Sequence, residues 1–160
     1  MKKVLCLASL VALIALDSYA KDYREDIHGG IAHANFMQDN RTAFTAGYGI
    51  TKSLDNKMLL GVSFDADFVD LADGSLIGAG TDFKVGYNVW ERLNAYGILG
   101  AKLQSVDGDA AYGLGFGVGV DYPINKDLSA AIEYKDYTMN ASNISDYDYK
   151  TLGLVLKYAF

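Results

Sequence analysis

The sequence predicts an all-β chain: an eight-stranded antiparallel up-and-down transmembrane β-barrel, preceded by a cleaved signal peptide. Three observations predict it. After Ala20 apolar residues alternate with small or polar ones at a period of two, the signature of strands with one apolar face. Nothing after Ala20 is apolar for the roughly 18 residues that a spanning helix needs. The composition sets 17 Gly and 12 Tyr beside a single Pro, a mixture suited to a chain in which almost every residue belongs to a hydrogen-bonded ladder that Pro would interrupt. The remaining composition excludes other classes. A hydrophobic content of 51% is too high for a disordered chain. A net charge of −6 lacks the basic footprint of a nucleic-acid binder. One Cys builds neither a disulfide framework nor a thiolate zinc site.

The first element is the leader, residues 1–20. Lys2 and Lys3 form a basic start, Val4 to Leu16 is almost unbroken apolar sequence, and Ser18 and Ala20 place small residues at −3 and −1 of a cleavage point before Lys21. The apolar core is too short to span a bilayer, which takes about 20 residues. Cys6 precedes most of it, unlike the cysteine of a lipoprotein signal. Its removal takes away the only Cys together with Lys2, Lys3 and Asp17. That leaves 12 basic residues (14 less 2) and 19 acidic ones (20 less 1), a net −7 on residues 21–160, the barrel domain.

Eight strands follow, at roughly 27–38, 42–52, 57–68, 76–90, 93–105, 110–122, 128–139 and 147–160. The last is the clearest, with Leu152, Leu154, Leu156, Tyr158 and Phe160 on one face. In the sixth, Tyr112, Leu114, Phe116, Val118 and Val120 alternate with Gly113, Gly115, Gly117 and Gly119. Two strands read less cleanly. Ile31 and Phe36 have opposite parity, as do Leu99 and the pair Tyr96 and Ile98, so a bulge or a weakly specified register is expected in the first and fifth. Connections at 39–41, 69–75, 106–109 and 140–146 fall at one end, and those at 53–56, 91–92 and 123–127 at the other. Asp73-Gly74 and Asp107-Gly108 are turn dipeptides. A preceding segment, residues 21–26, is expected as a short lead into the first strand.

The sense of closure follows from the two faces. The face opposite the apolar one is rich in Gly, Ala, Ser and Thr, a poor solvent-facing surface but a good filling for a barrel whose interior is only just wide enough for side chains. That face also carries Asp65, Asp67, Asp82, Lys84, Lys102, Asp121, Glu133, Lys135 and Lys157. In a narrow lumen these must pair, because an isolated buried charge is costly. Tyr48, Tyr87, Trp90, Tyr122, Tyr158 and Phe160 gather near one set of strand ends, and Phe36, Phe44, Phe68, Tyr112, Tyr134 and Tyr149 near the other. Two aromatic belts of this kind match the two interfaces of a bilayer.

With these residues in place, the chain resembles the family of small eight-stranded outer membrane barrels typified by the transmembrane domain of outer membrane protein A, outer membrane protein X and the opacity-type proteins. The resemblance covers residues 21–160. Its most specific element is the C-terminal run Leu152-x-Leu154-x-Leu156-x-Tyr158-x-Phe160, which in that family is read by the barrel assembly machinery. The external connections are shorter than the adhesive loops of opacity-type proteins. The resemblance implies a Gram-negative outer membrane location with both termini periplasmic, lipid and lipopolysaccharide as neighbours, a monomer, and no nucleic-acid partner.

Chemistry finds little support. No cofactor, catalytic or metal residue is expected. His28 and His33 are the only candidates for a general base, and neither sits in the His-x-Ser spacing of barrel lipid A deacylases. Asp70, Asp73, Asp107, Asp109, Asp146 and Asp148 make one end acidic, without the convergent oxygens of a calcium loop. Gly113 to Gly119 alternate inside a strand and form no phosphate loop. The expected role is structural: envelope integrity or surface interaction without catalysis. A narrow low-conductance channel is the alternative, and a lipid A-modifying enzyme comes third.

Overall fold

The structure is a computed structural model. It describes residues 23–37, 39–54, 56–71, 74–106, 108–141 and 145–160; the leader, 1–20, lies outside the described residues. Eight strands make one closed barrel in chain order: β1 Tyr23–Phe36, β2 Asp39–Ser53, β3 Met58–Leu71, β4 Gly74–Trp90, β5 Leu93–Val106, β6 Asp109–Pro123, β7 Leu128–Ala141 and β8 Tyr147–Ala159. All pairs are antiparallel, and β1 closes on β8 from Asp26↔Ala159 to Phe36↔Tyr149. Closure leaves no edge strand, as a sheet in lipid requires.

The strands run further than the sequence indicated. Tyr23 to Asp26 belong to β1 and are not a lead. Asp39–Arg41 open β2, Val69–Leu71 finish β3 and Gly74 begins β4. At the end away from the termini, residues that look like connection in the sequence therefore continue the ladders. The β5–β6 turn closes at Gly108, whose φ of +94° only glycine adopts without strain. At the other end, Asn125 Oδ1 accepts the N–H groups of Asp127 and Leu128 at 2.9 and 2.8 Å, fixing the β6–β7 turn after Pro123.

The registers of β1 with its neighbours and of β5 with β6 are regular; among the described residues the one shift lies between Asn88 and Trp90 of β4, where it pairs with the start of β5. A walk perpendicular to the strands gives the barrel its shape. From Asp26 it passes Gly49, Ser63, Asp82, Gly100, Gly115, Tyr137 and Tyr149, and returns to β1 at Phe36, ten residues further on. With a rise of ~3.3 Å per residue and strands ~4.8 Å apart, this shear tilts the strands by about 41° and gives a radius of about 8 Å.

The two faces divide cleanly. Outward lie Ile27, Ile31, Phe44, Phe68, Ile77, Leu99, Leu103, Leu114, Phe116, Ile132, Leu154 and Leu156, all exposed. On β6 the outward row from Tyr112 to Tyr122 covers ten residue steps, about 25 Å along the axis at this tilt, the height of the apolar band of a transmembrane barrel. The inward face holds Gly, Ala, Ser and the charged residues. An all-β transmembrane barrel of eight antiparallel strands is the fold.

One belt needs correction. Phe36 and Tyr149 do not face lipid; Phe36 is 6% exposed and Tyr149 is 0% exposed. Phe36 shares inward parity with His28 and Tyr149 with Gly153, so both point into the barrel. With Tyr137, Tyr147, Leu76, Val69, Met139, Val106, Ala34, Ala43 and Ala111 they fill the half of the lumen away from the termini. Phe36 meets Tyr147 edge to face, with ring centroids 4.8 Å apart.

Candidate functional site: the charged lumen

Below the apolar plug, toward the end bearing the termini, the lumen is a network of charges. All nine sequence-selected lumenal residues project into it. Asp82 receives Lys135 Nζ at 2.6 Å and the Tyr137 hydroxyl at 2.6 Å. Lys135 also lies 3.1 Å from Glu133 Oε2 and 3.9 Å from Asp65 Oδ2. Glu133 accepts Lys84 Nζ at 2.7 Å and the Tyr96 hydroxyl at 2.8 Å. Lys157 lies 3.2 Å from Asp121 Oδ2 and 3.8 Å from Glu133 Oε1. Lys102 pairs with Asp67 and stands over the rings of Tyr137 and Tyr149 at 4.9 and 5.2 Å, which adds a cation–π attraction. Lys84 and Lys157 stand over the Tyr96 ring in the same way, at 5.5 and 5.2 Å.

These partners are 35 to 61 residues apart where they hydrogen-bond across the lumen. The partners that meet across the lumen come from different strands, and the ten-residue shear decides who meets whom. Glycine supplies the room. On neighbouring β6, a Cβ at Gly115 would strike the Tyr137 ring and one at Gly119 the Tyr96 ring. The tyrosines that organise the network therefore lie flat against strands without side chains.

Sequence reasoning missed three members. Arg24 and Asp26 fall in the segment that the sequence presents as a lead, and His28, which the sequence places in the lumen or at an interface, has no partners legible there. Outward Ile27 and Ile31 already fix their parity as inward. His28 Nδ1 lies 2.9 Å from Asp26 Oδ1 and Nε2 lies 2.7 Å from Asp65 Oδ1, both buried. A ring held between two carboxylates needs two N–H donors, the imidazolium form. With it, six carboxylates (Asp26, Asp65, Asp67, Asp82, Asp121 and Glu133) face six cations (Arg24, His28, Lys84, Lys102, Lys135 and Lys157) among the described residues. His33 has the other parity and lies exposed on the outer wall, paired in register with Leu152.

The hydrogen-bond order is the wrong one for acyl transfer. Ser63 donates its hydroxyl to Asp65 Oδ2 at 3.1 Å, and Asp65 in turn holds His28. The imidazole thus has carboxylates on both nitrogens and no hydroxyl to activate. Of the acidic end, Asp73 and Asp107 lie outside the described residues, and Asp146 Oδ1 accepts the Ala141 N–H at 3.1 Å. The C-terminal residues Leu152, Leu154, Leu156, Tyr158 and Phe160 all face outward, and Phe160 N–H bonds Glu25 O at 3.3 Å across the β1–β8 seam.

Comparison with known proteins places the fold. No family model matches the sequence, and no curated protein does. Among solved structures, the chain is similar to the Neisserial surface protein A (14% identity, 86% of this chain and 97% of that one, TM-score 0.57). It is similar to the attachment invasion locus protein Ail of Yersinia pestis (16% identity, 87% and 98%, TM-score 0.59). A de novo designed transmembrane β-barrel aligns as well (16% identity, 88% and 98%, TM-score 0.58). The likeness is one of fold: the chain has the architecture of the small eight-stranded outer membrane barrels.

Proposed function

We propose that the protein is an integral barrel of a Gram-negative outer membrane, with both termini periplasmic and a structural or surface-contact role in the envelope, without catalysis. One observation carries this reading: the lumen is filled from end to end of its outer half, while the outer wall presents a continuous apolar band. Ion passage would have to displace Phe36, Leu76, Tyr137, Met139, Tyr147 and Tyr149, which are packed together and buried, and then cross a network whose charges neutralise one another. The bilayer-facing surface and the sealed core support a membrane-embedded body more than a pore.

Its neighbours in this reading are outer membrane lipid and lipopolysaccharide. Insertion by the barrel assembly machinery is supported by the outward C-terminal row ending in Phe160. Contact with another surface would fall on short strand ends, where Asp39, Asp70, Asp109, Asp146 and Asp148 outnumber Arg41 and Lys150 among the described residues. Ail of Yersinia pestis has been solved with the heparin analogue sucrose octasulfate; an acidic rim repels such a polyanion, so that chemistry does not carry over.

The test is a planar-bilayer recording on protein whose folded state is verified by a heat-dependent shift in gel migration. The expected record is flat at high protein loading. Discrete conductance steps abolished by boiling would replace the structural reading with the pore.

A further inference from the structure

We propose that the end of the lumen bearing the termini is a binding site for one small oxyanion, phosphate or carboxylate in chemistry, held by Arg24. Every strand contributes to a cavity of about 120 Å³ there. Its polar lining is Arg24, Thr51, Ser53, Asn94 and Ser129, with the paired charges Asp26, Lys84, Asp121 and Lys157 around them. One water needs about 10–15 Å³ of such space, so the cavity has room for a polyatomic anion with part of its hydration.

Arg24 singles the site out. Each of the other lumenal cations has a carboxylate within 4 Å: His28 has Asp26 and Asp65, Lys84 has Glu133, Lys102 has Asp67, Lys135 has Asp82 and Lys157 has Asp121. Arg24 alone has none among the described residues, and its Nη2 is buried without a hydrogen-bond partner. A buried guanidinium nitrogen left unsatisfied is costly and rare, and a guanidinium presents a planar fork of donors shaped for two oxygens of one anion. The nearby carboxylates each have another partner and make no ion pair with it. Asp26 Oδ1 is taken by His28, and Asp121 Oδ2 by Lys157 and the Ser129 hydroxyl. The hydroxyls of Thr51 and Ser53 complete a neutral donor set along β2.

The experiment uses the full barrel refolded in a detergent without phosphate, with inorganic phosphate and acetate titrated separately by calorimetry. Saturable binding of at least one of the two, at one site per barrel, is expected. Tighter binding of phosphate assigns a tetrahedral ligand, tighter binding of acetate a carboxylate, and either supports the site. Arg24→Gln should weaken binding by about tenfold or more, the loss of a charge-assisted bond, while keeping the gel shift of a folded barrel. Arg24→Lys, which keeps the charge and loses the fork, should fall between. Should Arg24→Gln fail to fold, Thr51→Val tests the same cavity from a residue outside the ion pairs and should weaken binding severalfold. No saturable binding of either anion to the folded wild type, or equal binding by the variants, overturns the proposal.

Discussion

Replacing Glu133 by Gln tests whether the ion pairs around it are shielded from water. Glu133 has three lysines within 4 Å: Lys84 at 2.7 Å, Lys135 at 3.1 Å and Lys157 at 3.8 Å. Two of these keep other partners after the change, because Lys135 retains Asp82 and Lys157 retains Asp121. Lys84 loses its only carboxylate, with its side chain 14% exposed. The net perturbation is one orphaned, nearly buried cation, which costs about 3–5 kcal/mol when a buried pair is broken from one side. Were the lumen an aqueous channel, the same pair would count as solvated and be worth about 0–1 kcal/mol. The assay is reversible urea unfolding in lipid vesicles, wild type against Glu133→Gln, followed by tryptophan fluorescence and gel shift. The reasoning also specifies a rescue. Adding Lys84→Met to Glu133→Gln removes the orphan and should restore more than half of the lost stability. A single variant within about 1 kcal/mol of wild type, or a double variant no better than the single, would refute the shielded, mutually dependent network.

Three further outcomes follow from the same geometry. Met139→Ala, at a fully buried position of the plug, should cost about 2–5 kcal/mol in the same unfolding assay, as a cavity in a packed core does. Gly100→Ala places a methyl against Asp82 Oδ1 and the Tyr137 hydroxyl, whereas at Gly97, facing lipid, the nearest atom is 3.9 Å away; refolding yield on gels should collapse for the first and be unchanged for the second. Leu154→Arg on the apolar band should destabilise the barrel by roughly 2–4 kcal/mol in bilayers, while Thr151→Ser on the inward face of the same strand should be nearly silent in the same measurement.

Strand number, order and facing were legible because period-two alternation is a local property that lipid on one side and a narrow lumen on the other both enforce. The ends were not, since Asp39–Arg41 and Val69–Leu71 look like loop yet continue the ladder. Phe36 and Tyr149 were assigned to a lipid belt because aromatics near strand ends suggest one; their parity, shared with His28 and Gly153, says otherwise. The identity of the lumenal charges was readable from parity, but their partners were not. Asp82 meets Tyr137 and Lys135 only because register accumulates to ten residues around the barrel, a closure property that no single strand contains. Arg24 escaped notice for a simpler reason: nothing in a polar stretch before the first apolar residue marks it as strand.

The four inward glycines of β6 have a consequence for how this protein can change. Met139 stands over Gly113, Tyr137 over Gly115, Lys135 over Gly117 and Tyr96 over Gly119, so every second position from Gly113 to Gly119 is already closed off by a neighbouring strand. The intervening residues, from Tyr112 to Val120, are exposed on the outer wall and can drift among apolar types. A mutational scan along β6 would read as a comb, with fixed teeth and free gaps. Sequence divergence in this barrel is thereby channelled onto the membrane side, while novelty inside must arrive as paired exchanges between strands.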